Sequence, residues 1–300
     1  MNEEMIDSAL SYYDIKDSWY HEQCYACMND INGSVNLKRT FQELLDILYV
    51  DKTKKINHLW SMKTTEDLFH EPVHPYVTCV ALLCGYQLHQ RNMEEHHFDA
   101  LQQSIHKARM KEILTKDIIS RGLDSIRITQ MIWGTYFINV RLVEVGRLQY
   151  EYVDQQTMRI HIPSDEKLEI SKVLDSIHRA KNVIKDYFKI DNFQYVCDSW
   201  LLSPEIHKLV SKDSNIYRFY ELFDVSEGND CAQDILDFVY QITDCDFHNL
   251  REETSLQRVI KQYLLDGNQI HLGSGILNQD KYKHLYNILT FGQIENIISL

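Results

Sequence analysis

Proline and glycine are scarce, 4 and 10 in 300 residues. So few helix breakers exclude a Pro/Gly-rich linker and favour long helices joined by short loops. Positive charge is also in deficit: 31 Lys and Arg stand against 44 Asp and Glu, a formal net charge of −13. That balance repels a phosphate backbone and argues against nucleic acid as a partner. No apolar run approaches the ~18 residues of a transmembrane helix, so no membrane span is expected. The first residues, Met1-Asn-Glu-Glu-Met-Ile-Asp7, are acidic and do not read as a signal peptide. The chain is therefore expected in the cytoplasm. There its seven cysteines, an odd number, should be reduced.

What remains is an ordinary globular composition, 44% hydrophobic and 25% charged. The length suggests about two domains. The expected fold class is α+β or α/β: an all-helical domain over residues 1–130, then a mixed-sheet domain over 131–300. Helices are expected over 1–30, Leu37–Tyr49, Tyr76–Gln90 (opened by His74-Pro75), 94–117 and 115–140. A short one is expected near Thr65–Phe69, with a break near Arg121-Gly122. Asn32-Gly33-Ser34 reads as a turn.

The stretch Gly146–Trp200 organises the second domain. Leu148, Tyr150 and Tyr152 alternate with Gln149 and Glu151, and Met158, Ile160 and Ile162 with Arg159 and His161. Alternation at period 2 marks two strands, and the short polar turn Asp154–Thr157 makes them antiparallel. Ile170, Val173, Leu174, Ile177, Ala180, Val183, Ile184, Tyr187 and Phe188 then repeat at helical spacing. Pro163 and Ser164 sit just before that helix, in a loop 163–167 that leads into it. A strand follows from Phe193, and strand–helix–strand implies a right-handed crossover with a parallel pair. Beyond it the pattern predicts a helix Pro204–Val210, a bulged strand Asn215–Val225, helices Ala232–Tyr240 and Ser255–Leu265, and a last strand Ile270–Leu277. Gly273-Ser-Gly275 is read as a bend or bulge in that last strand.

Glu151 is a carboxylate in a mostly apolar strand and needs a partner, for which Arg147 and Arg159 are candidates. With His161 and Gln149 on the same polar surface it could supply a general base and a clamp for an amine. Cys197, Ser199 and Tyr195 share one strand face near a carboxyl end, where ligands tend to bind. His21-x-x-Cys24-x-x-Cys27 has no second ligand pair, so no metal is expected. His89, His96 and His97 read as a solvated helical face. Thr115–Tyr136 could be forced into a helix-turn-helix, but the overall charge opposes a nucleic-acid regulator.

Four motifs in order are Gly146-Arg-Leu-Gln-Tyr-Glu-Tyr152, His161-Ile-Pro163, Cys197-Asp-Ser-Trp-Leu-Leu-Ser-Pro204 and Ser214-Asn-Ile-Tyr-Arg-Phe219. They resemble a bacterial acyltransferase family with a helical N-terminal domain and a GNAT-like C-terminal domain. The resemblance covers roughly residues 120–280. It implies an N-acyltransferase with acyl-CoA as co-substrate, no metal, and a small-molecule or peptide amine as acceptor. In GNAT enzymes the pantetheine lies between splayed strands and the pyrophosphate rests on the N-terminus of the central helix. This implies cofactor contacts from Ser164 and Lys167 and from the strand carrying Cys197 and Ser199. Glu151 or His161 is then the base, and Tyr217 the donor to the leaving thiolate. The chain departs from the usual GNAT pattern in two ways. Residues 163–167 contain no glycine but carry Asp165 and Glu166, and Asp198 stands where the family often has His. Those departures favour the alternative, a non-catalytic GNAT-like ligand-binding or protein-interaction module.

Overall fold

A computed structural model describes residues 2–49, 59, 68–70, 72–121, 128–230, 232–240, 242 and 246–298. The chain divides into two compact units, Met1–Leu142 and Val143–Leu300.

The first unit is helical. Its helices are α1 (Glu3–Tyr12), α2 (Ser18–Gly33), α3 (Val35–Tyr49), α4 (Val77–Leu83), α5 (Tyr86–Glu95), α6 (Ala100–Arg121) and α7 (Ile128–Ile138). Ile6, Leu10, Tyr13, Cys24, Phe41, Leu44, Leu48, Val80, Leu83, Met110 and Phe137 form its core. The expected single helix over 1–30 is two. Asp14 takes a left-handed backbone (φ 53°), and Asp17 caps α2 by accepting from Tyr20 N–H at 2.8 Å. Helix α2 runs through the expected turn to Gly33, and Ser34 Oγ accepts from Leu37 N–H at 3.2 Å. Tyr76–Gln90 is also divided, at Cys84-Gly85. A Cβ on Gly85 would lie 2.7 Å from Tyr49 Oη, so glycine there admits the close approach of α3. His89 is wholly buried, against the expectation of a solvated face. The expected break at Arg121-Gly122 and most of the expected Thr65–Phe69 helix lie outside the described residues.

The second unit is a six-stranded mixed sheet with helices, the fold class expected. Its strands are β1 (Leu142–Val145), β2 (Leu148–Asp154), β3 (Thr157–His161), β4 (Gln194–Ser199), β5 (Phe223–Asp230) and β6 (His271–Leu277), in spatial order β1-β2-β3-β4-β6-β5. The antiparallel β2–β3 ladder pairs Gln149 with His161 and Glu151 with Arg159. Helix α8 (Ile170–Phe188) crosses from β3 to β4, which pair in parallel as its apolar period predicts. It ends on Lys189 in the left-handed region (φ 58°). Val173, Leu174, Ile177, Ala180 and Ile184 are buried along it, as are Leu148, Tyr150, Met158, Ile160, Tyr195 and Cys197 on the strands. Each large apolar side chain so buried contributes roughly 1.5–3 kcal/mol. Tyr150 Oη meets Ser176 Oγ of α8 at 2.8 Å, fixing the helix on this face.

Helix α8 begins at Ile170, the first residue of the expected apolar stripe, with Glu169 as its N-cap, and 163–167 is the loop that leads into it. One expectation for this unit is corrected. Asn215–Val225 is no bulged strand: Ser214 Oγ caps helix α10 (Asn215–Tyr220), which buries Phe219, and β5 starts at Phe223. Gly273 pairs with Ser199 and with Glu227, next to a register shift of β5 between Glu227 and Asp230. A Cβ there would lie 1.8 Å from Leu202 O, in the short turn Trp200–Leu202 that leads to α9 (Pro204–Leu209). Glycine therefore lets that turn lie directly on β6. Strand β1 was not anticipated. Residues 232–240 form a short helix α11 (Ala232–Ile235) followed by a π-helical stretch Leu236–Tyr240. A second apolar cluster joins Ile206, Ile235, Tyr240, Leu250, Ile270, and Ile260 and Leu264 of α12 (Ser255–Leu265). Helix α13 (Gln279–Ile298) closes the described chain.

Candidate active site

The parallel pairing of β3 and β4 is short. Its register runs Thr157–Gln194, Met158–Tyr195, Arg159–Val196 and goes no further. Strand β3 continues to His161, while β4 continues to Ser199 paired to β6 instead, Val196 with Ile276 through Ser199 with Gly273. The two strands thus part toward their carboxyl ends. This gap in the pairing lies at the carboxyl ends of the strands, where ligands of open α/β sheets bind.

The polar face beside this gap carries a connected set of charges. Glu151 is buried (side chain 1% exposed), and its Oε2 lies 2.9 Å from His161 Nε2 and 3.3 Å from Arg159 Nη1. Arg159 Nε donates to Asp198 Oδ2 at 3.1 Å. One guanidinium therefore reaches from β2 to β4 across the strand pair that diverges. His161 keeps 17% of its side chain exposed, whereas Glu151 does not reach solvent. Of the two, the carboxylate is enclosed and the ring is the accessible group. Gln149 is also buried, and its Nε2 donates to Glu144 Oε2 on β1 at 2.8 Å. Of the two arginines considered for Glu151, Arg159 takes it. Arg147 donates elsewhere, from Nε to Lys167 O (3.0 Å) and from Nη2 to Pro163 O and Glu166 O (2.7 Å each).

The remaining expected site residues are dispersed around this centre. Ser164 and Lys167 are exposed in the loop before α8. Cys197 is wholly buried, and burial pushes its thiol pKa well up, so it stays a neutral wall residue. Ser199 Oγ accepts from Leu201 N–H at 3.1 Å and caps the turn after β4. Tyr217 lies on α10, its ring stacked 4.2 Å from that of His207, which meets Tyr220 at 4.0 Å on stacking terms too. Burial and the neighbouring Glu221 raise the Tyr220 pKa. The structure therefore brings Glu151 and His161 together and gives Ser199 and Cys197 structural contacts. The His207 stack was missed, because α10 was read as a strand. Ser214, an N-cap residue, was the available signal.

Among the described residues no group of three or more His, Cys, Asp or Glu is placed to hold a metal. His21 Nε2 bonds to Ile15 O at 2.8 Å, and Cys24 and Cys27 are buried free thiols. No helix among the described residues is long and apolar enough to cross a membrane.

Comparison with known proteins bears on this arrangement. Residues 142–277 match the family of GNAT-like C-terminal domains, in agreement with the resemblance read from the four motifs. Solved acyltransferase structures share the fold. One, a point variant in complex with octanoyl-CoA, is 18% identical at a TM-score of 0.71, over 92% of this chain and 88% of its own. Another, in complex with decanoyl-CoA and teicoplanin, is 18% identical at 0.70, over 90% and 86%. A third, in complex with CoA and 10C-teicoplanin, is 19% identical at 0.60, over 68% and 67%. No curated protein matches the chain.

Proposed function

We propose that this chain is an acyl-CoA-dependent N-acyltransferase acting on an amine of a small molecule or peptide. The observation that carries the reading is the divergence of β3 and β4 beside the Glu151–His161 pair. The gap takes the pantetheine and thioester, and the pair stands at its edge. The acyl-CoA complexes of the similar folds support the choice of donor.

The chemistry follows from the groups present. Glu151 accepts the Nε2–H of His161, which leaves Nδ1 as the basic nitrogen of the neutral ring. The acceptor amine adds to the thioester carbonyl carbon, and its proton passes to His161. Backbone amides of β4 near Cys197 stabilise the oxyanion. Collapse breaks the C–S bond, releasing the N-acyl product and the CoA thiolate, for which Tyr217 is the assigned proton donor. Ser164 and Lys167 face the diphosphate. Arg159 holds Glu151 in place.

Thermal-shift titration with decanoyl-CoA, followed by a thiol-release assay over a panel of small-molecule and peptide amines, tests the proposal. A saturable rise in Tm growing as ln(1 + [ligand]/Kd), with amine-dependent release of free CoA, is expected. No shift at millimolar decanoyl-CoA would return the chain to the class of non-catalytic modules.

A further inference from the structure

Arg147 occupies the tip of the β1–β2 hairpin. Gly146 precedes it with φ of 60°, the left-handed conformation a two-residue hairpin turn requires. The residue is 6% exposed. Its guanidinium donates to three backbone carbonyls of a single loop, those of Pro163, Glu166 and Lys167, at 2.7, 2.7 and 3.0 Å.

These bonds determine which way the loop's amides face. In a trans peptide the C=O and N–H point in opposite directions, and the described chain contains no cis bond. With the Pro163, Glu166 and Lys167 carbonyls drawn onto the guanidinium, the N–H groups of Ser164, Lys167 and Leu168 turn away from it. Each of those peptides is also polarised by the cation behind it, which strengthens its N–H as a donor. The loop then runs into α8, whose N-cap residue Glu169 makes no side-chain capping bond. The outward amides therefore continue into the open first turn of a 19-residue helix. Charge is balanced here too. Asp165, Glu166 and Glu169 are matched by Lys167, Lys172 and Arg147, and Lys172 Nζ lies 3.3 Å from Glu166 and 3.7 Å from Glu169.

We infer that Arg147 is a positioning residue for acyl-CoA: from beneath, it shapes a glycine-free loop into a donor surface for the ligand's diphosphate. The inference rests on the acyl-CoA reading above. Where glycines would leave a loop free to turn its amides toward phosphate, here a guanidinium pulls the carbonyls the other way to the same effect.

The test compares decanoyl-CoA with decanoyl-pantetheine, which has the same reacting thioester but lacks the diphosphate and nucleotide. In Arg147→Met the KM for decanoyl-CoA should rise tenfold or more with kcat within twofold, and the KM for decanoyl-pantetheine should not move. Arg147→Lys should recover part of the loss. Lys167→Glu, an exposed change that spares folding, should weaken decanoyl-CoA alone. If Arg147→Met does not fold, Arg147→Lys decides on the same ratio of KM values. A variant that keeps the wild-type preference for the CoA donor, or loses both donors equally, overturns the role of Arg147 alone. Wild-type protein that uses neither donor overturns the acyl-CoA reading with it.

Discussion

Each unit of this chain holds histidines in a hydrogen-bonded network, and the two networks are built differently. In the helical unit His89 and His106 are both wholly buried. Tyr13 Oη meets His89 Nδ1 at 3.1 Å, His89 Nε2 meets His106 Nδ1 at 3.4 Å, and His106 Nε2 meets Leu142 O at 2.9 Å. A carbonyl only accepts, so His106 carries its proton on Nε2. Its Nδ1 then accepts from His89 Nε2–H, and His89 Nδ1 accepts from the tyrosine hydroxyl. Every polar atom of the three side chains is matched with both rings neutral. Burial lowers the pKa of both rings, that of His106 to about 4, and Lys107 near His89 adds to the effect there. In the sheet unit His161 faces a buried carboxylate and remains partly open. Among the described residues, a carboxylate lies against His161, whereas the bonds of His89 and His106 go to a hydroxyl, to each other and to a backbone carbonyl. A buried histidine whose lone pairs and protons are all matched is a structural part. One held by a carboxylate and still partly open is the group to which the proposed function gives the proton transfer.

The comparison breaks most visibly at His161. In His161→Ala the rate of amine-dependent CoA release should fall 10²- to 10⁴-fold, about 3–5 kcal/mol in barrier, with little change in Tm. A rate within threefold of wild type would remove His161 from the chemistry. The next largest effect belongs to the other network. As pH falls below the ordinary histidine value of 6.5, the unfolded chain takes up a proton that buried His106 refuses until about pH 4. Its stabilising contribution is thus complete above pH 6.5 and is lost between 6.5 and 4, by about 3 kcal/mol. Urea unfolding followed at pH 7.5 and 4.5 should show the loss, and His106→Leu should flatten it. The smallest effect is expected for His89→Leu, which leaves the Tyr13 hydroxyl and His106 Nδ1 unmatched. About 2 kcal/mol of stability should disappear, while the transfer rate of the folded fraction stays as in wild type. A fall in that rate equal to the His161 effect would erase the distinction between the two networks.

Much of the sheet unit was legible because its signals are local. Alternation gave β2 and β3 their faces, and the apolar stripe of Ile170–Phe188 gave α8 its bounds and the parallel crossover. Glu151 and His161 could be paired in advance because the short turn at 154–157 fixes the antiparallel ladder between them. Features set by distant contacts were not legible. Arg147 meets a loop 16 to 20 residues away. Gly273 answers to the backbone of Leu202, and Gly85 to Tyr49. His89 looked solvated beside His96 and His97, and only the packing of α1 and α6 around α5 encloses it. Asn215–Val225 failed for another reason. Ile216, Phe219 and Phe223 stand three and four apart, a helical spacing, and reading them as an irregular strand passed over the cap at Ser214.

The central claim is that the parting of β3 and β4 is an acyl-CoA groove. Hydrogen exchange measured peptide by peptide, with and without decanoyl-CoA, tests it directly. Protection on ligand addition is expected over 159–168 and 196–200, on the two divergent strand ends and the loop that Arg147 holds. Exchange unchanged in both segments while decanoyl-CoA is demonstrably bound would place the ligand elsewhere and contradict the account.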